Sequence, residues 1–127
     1  MNAPTTNMYK LIDAYNAFQN TYGQSNGEGF DTTIGDLFSP DFRKVANGVE
    51  LVTKREGLQK QLEQAKNFAG TWRVEPTEVL PVEAQNKCTL RYFLHTERAG
   101  NLDVIAIITS KDGIKIDVID EVYCHLK

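Results

Sequence analysis

Apolar residues recur at three- and four-residue steps near the start of the chain, at Met8, Leu11, Ile12, Tyr15, Phe18 and Tyr22. That spacing lines them along one face of a helix. Thr5 or Thr6 can cap its start, and Gly23 can stop it in a left-handed conformation. The polar, Gly-rich stretch from Gly23 to Gly29 predicts a mobile loop. A short second helix is expected from Thr32 or Thr33 through Phe38, closed by Ser39-Pro40. Asn47-Gly48 between Phe42-Arg43-Lys44-Val45 and Val49-Glu50-Leu51-Val52 signals a hairpin, because both residues accept the positive φ angles of a type I′ turn. Thr53 and Glu56 then form a capping-box pattern. Behind them Leu58, Leu62, Ala65, Phe68 and Ala69 make the apolar face of a third helix, with Gly70 as its stop.

From Thr71 onward the period changes from helical to strand-like. Strands are expected over Trp72–Glu83, Lys87–Arg98, Leu102–Ser110 and Ile114–Leu126, the last three joined by tight turns at Ala99-Gly100-Asn101 and Asp112-Gly113. Pro76 and Pro81 lack a backbone donor, so their strand lies at an edge or is bulged. Helices followed by a long-stranded meander predict a single α+β domain over residues 1–127, with residues 1–5 as a flexible tail.

Alternation along the strands sorts side chains into two faces. In the last strand Ile119, Glu121, Tyr123 and His125 share one face, and Asp120, Val122 and Cys124 share the other. In the strand from Lys87, the set Thr89, Arg91, Phe93 and His95 opposes the more apolar set Cys88, Leu90, Tyr92 and Leu94. Which set faces the helices stays open at this level.

Composition narrows the function classes. A 127-residue chain with 41% hydrophobic and 24% charged residues can bury roughly two-thirds of its unfolded surface. No apolar stretch reaches roughly 18 residues, so no membrane span is expected. The start lacks the basic and apolar runs of a secretory signal, which makes a cytoplasmic location the expectation. The net charge is −3 and the basic residues are scattered, which disfavours nucleic acid as a partner. Cys88 and Cys124 match no metal spacing and are expected as free, buried thiols. Cys124 and His125 are adjacent in a strand, so they point to opposite faces and cannot form a nucleophile–base pair. Neither a metal nor a cofactor is expected.

The order of elements, with Tyr15-Asn16-Ala17-Phe18, Leu37-Phe38-Ser39-Pro40-Asp41-Phe42 and Asp112-Gly113-Ile114-Lys115-Ile116 leading to Asp120-Glu121-Val122, resembles the nuclear transport factor 2-like superfamily. That superfamily includes ketosteroid isomerases, limonene epoxide hydrolases and SnoaL-like polyketide cyclases. The resemblance implies a cone-shaped, curved antiparallel sheet wrapped around N-terminal helices, with an apolar pocket between them and a homodimer through the outer sheet face. It also sets expectations for the site. Tyr15 stands near the oxyanion-donor tyrosine of the isomerases. Their two acidic positions fall on Ala46 or Asn47 and on Ala106, so steroid-isomerase chemistry lacks its base. The epoxide-hydrolase pattern places its last-strand carboxylate at Glu121 and its arginine at Arg91, but this chain has Phe93 where the pattern has a second aspartate.

Glu121, Arg91 and Tyr15 are therefore the candidate catalytic residues, with Phe18, Phe93, His95, Ile119 and Tyr123 as candidate pocket lining. The expected function is a small-molecule-binding domain for an apolar ligand with a polar end, with weak isomerase, hydrolase or cyclase chemistry open to it. The alternative is a non-enzymatic, dimeric protein-interaction module.

Overall fold

The computed structural model describes residues 7–126, in which three helices pack on the inner face of one curved, open sheet of six strands. Helix α1 (Asn7–Gln24) and helix α2 (Asp31–Leu37) lead directly into strand β1 (Phe38–Ala46), paired with β2 (Val49–Val52). A 3-10 turn at Arg55–Gly57 opens helix α3 (Leu58–Ala69). Strands β3 (Trp72–Val82), β4 (Lys87–Thr96), β5 (Asn101–Thr109) and β6 (Ile116–His125) complete the chain. The spatial order is β2-β1-β6-β5-β4-β3. Neighbours are antiparallel except β1 and β6, which run parallel and make the sheet mixed.

The helical spacing of α1 does what the sequence predicts. Met8, Leu11, Ile12, Tyr15, Phe18 and Tyr22 are all buried against the sheet. Opposite them β4 buries Cys88, Leu90 and Tyr92, and β5 buries Leu102, Val104, Ala106 and Ile108. Each fully buried Leu, Ile or Phe side chain contributes about 1.5–3 kcal/mol of transfer free energy. The Asn47-Gly48 hairpin forms with φ of 48° and 80° at its two central residues. Strand β3 is an edge strand, and its pairing with β4 slips between Pro76 and Glu78, where proline cannot donate to the ladder.

Several local expectations change. Thr5 and Thr6 lie outside the described residues. Gly23 does not end α1: the helix runs on to Gln24, and Gly23 lacks a positive φ. A Cβ there would collide with the backbone oxygen and ring of Trp72, so Gly23 is required by the close approach of β3. Side chains of α1 hold that edge: the Asn20 carbonyl oxygen accepts from Val74 N (2.7 Å), and Gln24 Nε2 donates to Trp72 O (2.6 Å). Helix α2 starts and stops a residue earlier than expected, and Ser39-Pro40 belongs to β1. The Thr53–Glu56 capping box is not formed; the 3-10 turn precedes α3, and neither start has a side-chain cap. Gly70 does stop α3, at φ 75°, with its N–H on Lys66 O. Phe68 is 74% exposed and stands at a cavity mouth, away from the core.

Candidate functional site

Because β6 alternates, Ile119, Glu121, Tyr123 and His125 point toward the helices, while Val122 and Cys124 point away. An open cavity of about 220 Å³ lies between this inner face and α3. Leu94, Leu102, Val104, Ala65 and Phe68 give it apolar walls, and Thr96, Tyr123 and His125 add polar groups. Glu121 also lines it and is only 8% exposed.

The partner of Glu121 is not the one the sequence suggested. Strand β1 runs parallel to β6 with Ala46 opposite Glu121 and Lys44 opposite Ile119. This register brings Lys44 Nζ to 3.9 Å from Glu121 Oε1, an ion pair too long for a hydrogen bond. Oε1 is buried and has no hydrogen-bond partner among the described residues. An unsatisfied buried carboxylate oxygen is costly, and a ligand donor would relieve that cost.

Lys44 also borders a second, nearly closed space of about 20 Å³, lined by Tyr15, Phe18, Phe42 and Ile119. Lys44 therefore borders both spaces. Tyr15 and Tyr92 are buried near Glu121. Burial raises the Tyr15 hydroxyl well above its usual range, and the Glu121 charge adds to this, while a side-chain hydrogen bond with Tyr92 offsets part. Tyr92 is raised well above its usual range by burial first, then by Glu121 and Tyr15. Both hydroxyls stay protonated at neutral pH.

Arg91 lies on the other face of the sheet. In β4 the inward set is the apolar one, Cys88, Leu90, Tyr92 and Leu94, because helices α1 and α3 must be packed by apolar side chains. Arg91 instead makes a bidentate pair with Asp103, Nε to Oδ1 at 3.1 Å and Nη2 to Oδ2 at 2.7 Å. That hydrogen bonding holds the Asp103 carboxyl below the usual range and raises Arg91. His95 pairs with Glu75 at 2.8 Å on the same outer face, and Phe93 sits beside it. The expected Arg91–Glu121 pair is not formed, and Phe93 and His95 do not line the cavity. Of the expected lining, Tyr123 borders the open cavity, whereas Phe18 and Ile119 border the inner void with Tyr15. Cys88 is buried, which pushes its thiol up to about 11, while Cys124 is exposed, against the expectation of burial.

Sequence reasoning missed Lys44 and Tyr92. Tyr92 carried a signal, being part of the more apolar set of its strand. Lys44 carried none, since its place beside Glu121 depends on a pairing between strands some 75 residues apart.

No protein-family model matches the sequence, and no curated protein matches it either. Solved structures do. A nuclear transport factor 2-like protein of unknown function from Exiguobacterium sp. 255-15 superposes with TM-score 0.75 at 18% identity, over 91% of this chain and 99% of that one. A protein assigned as a SnoaL-like polyketide cyclase from Jannaschia sp. CCS1 gives 0.73 at 11% identity, over 97% and 90%. An LEH-like epoxide hydrolase from M. tuberculosis gives 0.73 at 13% identity, over 95% and 86%. At these identities the likeness concerns the backbone alone, and it is nearly end to end. The chain has the nuclear transport factor 2-like fold.

Proposed function

We propose that this chain is a small-molecule-binding domain whose ligand lays an apolar body against Leu94, Leu102, Val104 and α3 and turns a polar end to Glu121 and Lys44. The observation that carries the reading is the buried Glu121 oxygen without a hydrogen-bond partner among the described residues, beside Lys44, in a mostly apolar open cavity. Structural neighbours assigned as cyclases, isomerases or epoxide hydrolases make chemistry on such a ligand a natural extension. In that case Glu121, the carboxylate lining the cavity, is the proton acceptor. A screen of compact apolar molecules by ligand-observed NMR tests the binding reading. Ala65→Phe, which fills the cavity from α3, abolishes the binding found with the wild type. Binding that survives this substitution places the ligand elsewhere. Glu121→Gln removes any turnover while the fold persists, and unchanged turnover would discard the catalytic role.

A second reading rests on the outer sheet face. Ile105 (44% exposed) pairs with Val122 (55% exposed), and Ile107 and Leu80 extend the exposed apolar stripe. Two copies meeting through this stripe form an isologous homodimer, compatible with ligand binding or with a pure interaction role. A monomer in sedimentation equilibrium at tens of micromolar would overturn it.

A further inference from the structure

Resting on the small-molecule reading, we infer that the cavity takes a neutral ligand whose polar end carries a hydrogen-bond donor and an acceptor side by side. A carboxamide fits that description, as does a hydroxyl next to a carbonyl, on a compact body of one or two rings.

The argument starts from charge. Among the described residues, Lys44 and Glu121 are the only Asp, Glu, Lys or Arg side chains lining the cavity. They carry opposite charges and stand 3.9 Å apart. A carboxylate entering this space gains Lys44 but meets the charge of Glu121. An ammonium gains Glu121 but meets Lys44. Either ion also breaks the existing pair and leaves one buried charge uncompensated, the expensive outcome in a low-dielectric site.

A neutral donor–acceptor end avoids both costs. Its N–H or O–H donates to the Glu121 carboxylate, which lacks a hydrogen-bond partner at Oε1. Its carbonyl accepts from Lys44 Nζ, which has three donors and no hydrogen bond to Glu121. Both new bonds are charge-assisted, and the ion pair stays intact. Gln61 adds a second neutral contact, since its side-chain oxygen is also buried without a partner and the residue lines the same cavity. Size follows from the volume: about 220 Å³ lies below the roughly 300–1,000 Å³ of sites for drug-sized ligands.

The test uses three probes with one ring system: 2-naphthamide, 2-naphthoate and 2-naphthylmethylamine, titrated into the full chain at neutral pH by NMR. Cross-relaxation between naphthyl protons and the methyls of Leu94 and Val104 locates the bound probe. The amide binds at least about tenfold more tightly than either ion. Glu121→Gln shifts the order toward the naphthoate, and Lys44→Met shifts it toward the amine, whereas a merely structural ion pair would leave the order unmoved. An ion that binds the wild type as tightly as the amide overturns the inference, as does an amide preference that persists in both folded variants. If a variant does not fold, the wild-type ranking decides alone. Failure of all three probes to bind overturns the small-molecule reading itself, an outcome distinct from binding in the wrong order.

Discussion

Lys44–Glu121 and Arg91–Asp103 occupy opposite faces of the same sheet, and the contrast between them separates a site from a surface. On the outer face the geometry is ideal: two parallel hydrogen bonds, with Glu78 as a further charge at 3.9 Å. Both Asp103 oxygens are taken by the guanidinium, so the pair offers a ligand no unsatisfied acceptor. On the inner face the pair is looser, largely desolvated, and leaves a carboxylate oxygen unsatisfied. Good pairing in solvent contributes little, whereas poor pairing in an apolar cavity is both a liability and a recognition element. An imperfect buried pair is thus the more informative feature.

The comparison can be broken first by packing. Leu90→Ala on the inner face is expected to cost about 3 kcal/mol in urea denaturation, the middle of the range for a buried leucine. Its outer-face neighbour Thr89 should change stability by less than about 0.5 kcal/mol on replacement by Ala. A large effect at Thr89 would mean that the outer face is covered. Lys44→Met comes next, at about 3 kcal/mol or somewhat less, since it strands the Glu121 charge. Adding Glu121→Gln should recover most of that loss, and a purely additive double variant would refute the coupling.

The pH profile sharpens the same contrast. Tyr15 and Tyr92 are raised from 10.0, so their contribution is complete below pH 10 and is lost as pH rises through their folded values. Asp103 is lowered from 3.8, so its contribution is complete above that value and is lost as pH falls through the folded one. The inner face therefore shapes the alkaline limb of stability and the outer face the acid limb. Tyr15→Phe should flatten the first, and Asp103→Asn the second, in chemical denaturation repeated across pH. Ultraviolet titration should find Tyr15 and Tyr92 un-ionised until the chain unfolds. The smallest effect on stability is expected for Ile105→Lys, which leaves the melting curve of the protomer nearly unaltered and, under the dimer reading, yields monomers in sedimentation.

What was legible in the sequence was local. The face of α1 followed from the spacing Met8 to Tyr22, the type I′ turn from Asn47-Gly48, and the bulged edge strand from its prolines. Period-two alternation put Glu121 on one face with Ile119, Tyr123 and His125, and the family pattern singled out Glu121 on that face. The two faces of β4 were legible, but which one meets the helices was not: the apolar set turned inward. Placing Arg91 inward instead came from a family pattern that the local apolarity opposed.

Residue order and periodicity determined the elements, the fold class and the face-sharing set of Glu121, since these depend on contacts a few residues long. Tertiary structure alone decided which cation meets that carboxylate. Strand β1 inserts beside β6 in parallel, and its register carries Lys44 across roughly 75 residues of sequence to Glu121. Nothing in the residues near either position encodes that meeting. It arises because the sheet must bury one continuous apolar face against α1 and α3, and the only edge of β6 left for β1 puts a lysine at the cavity.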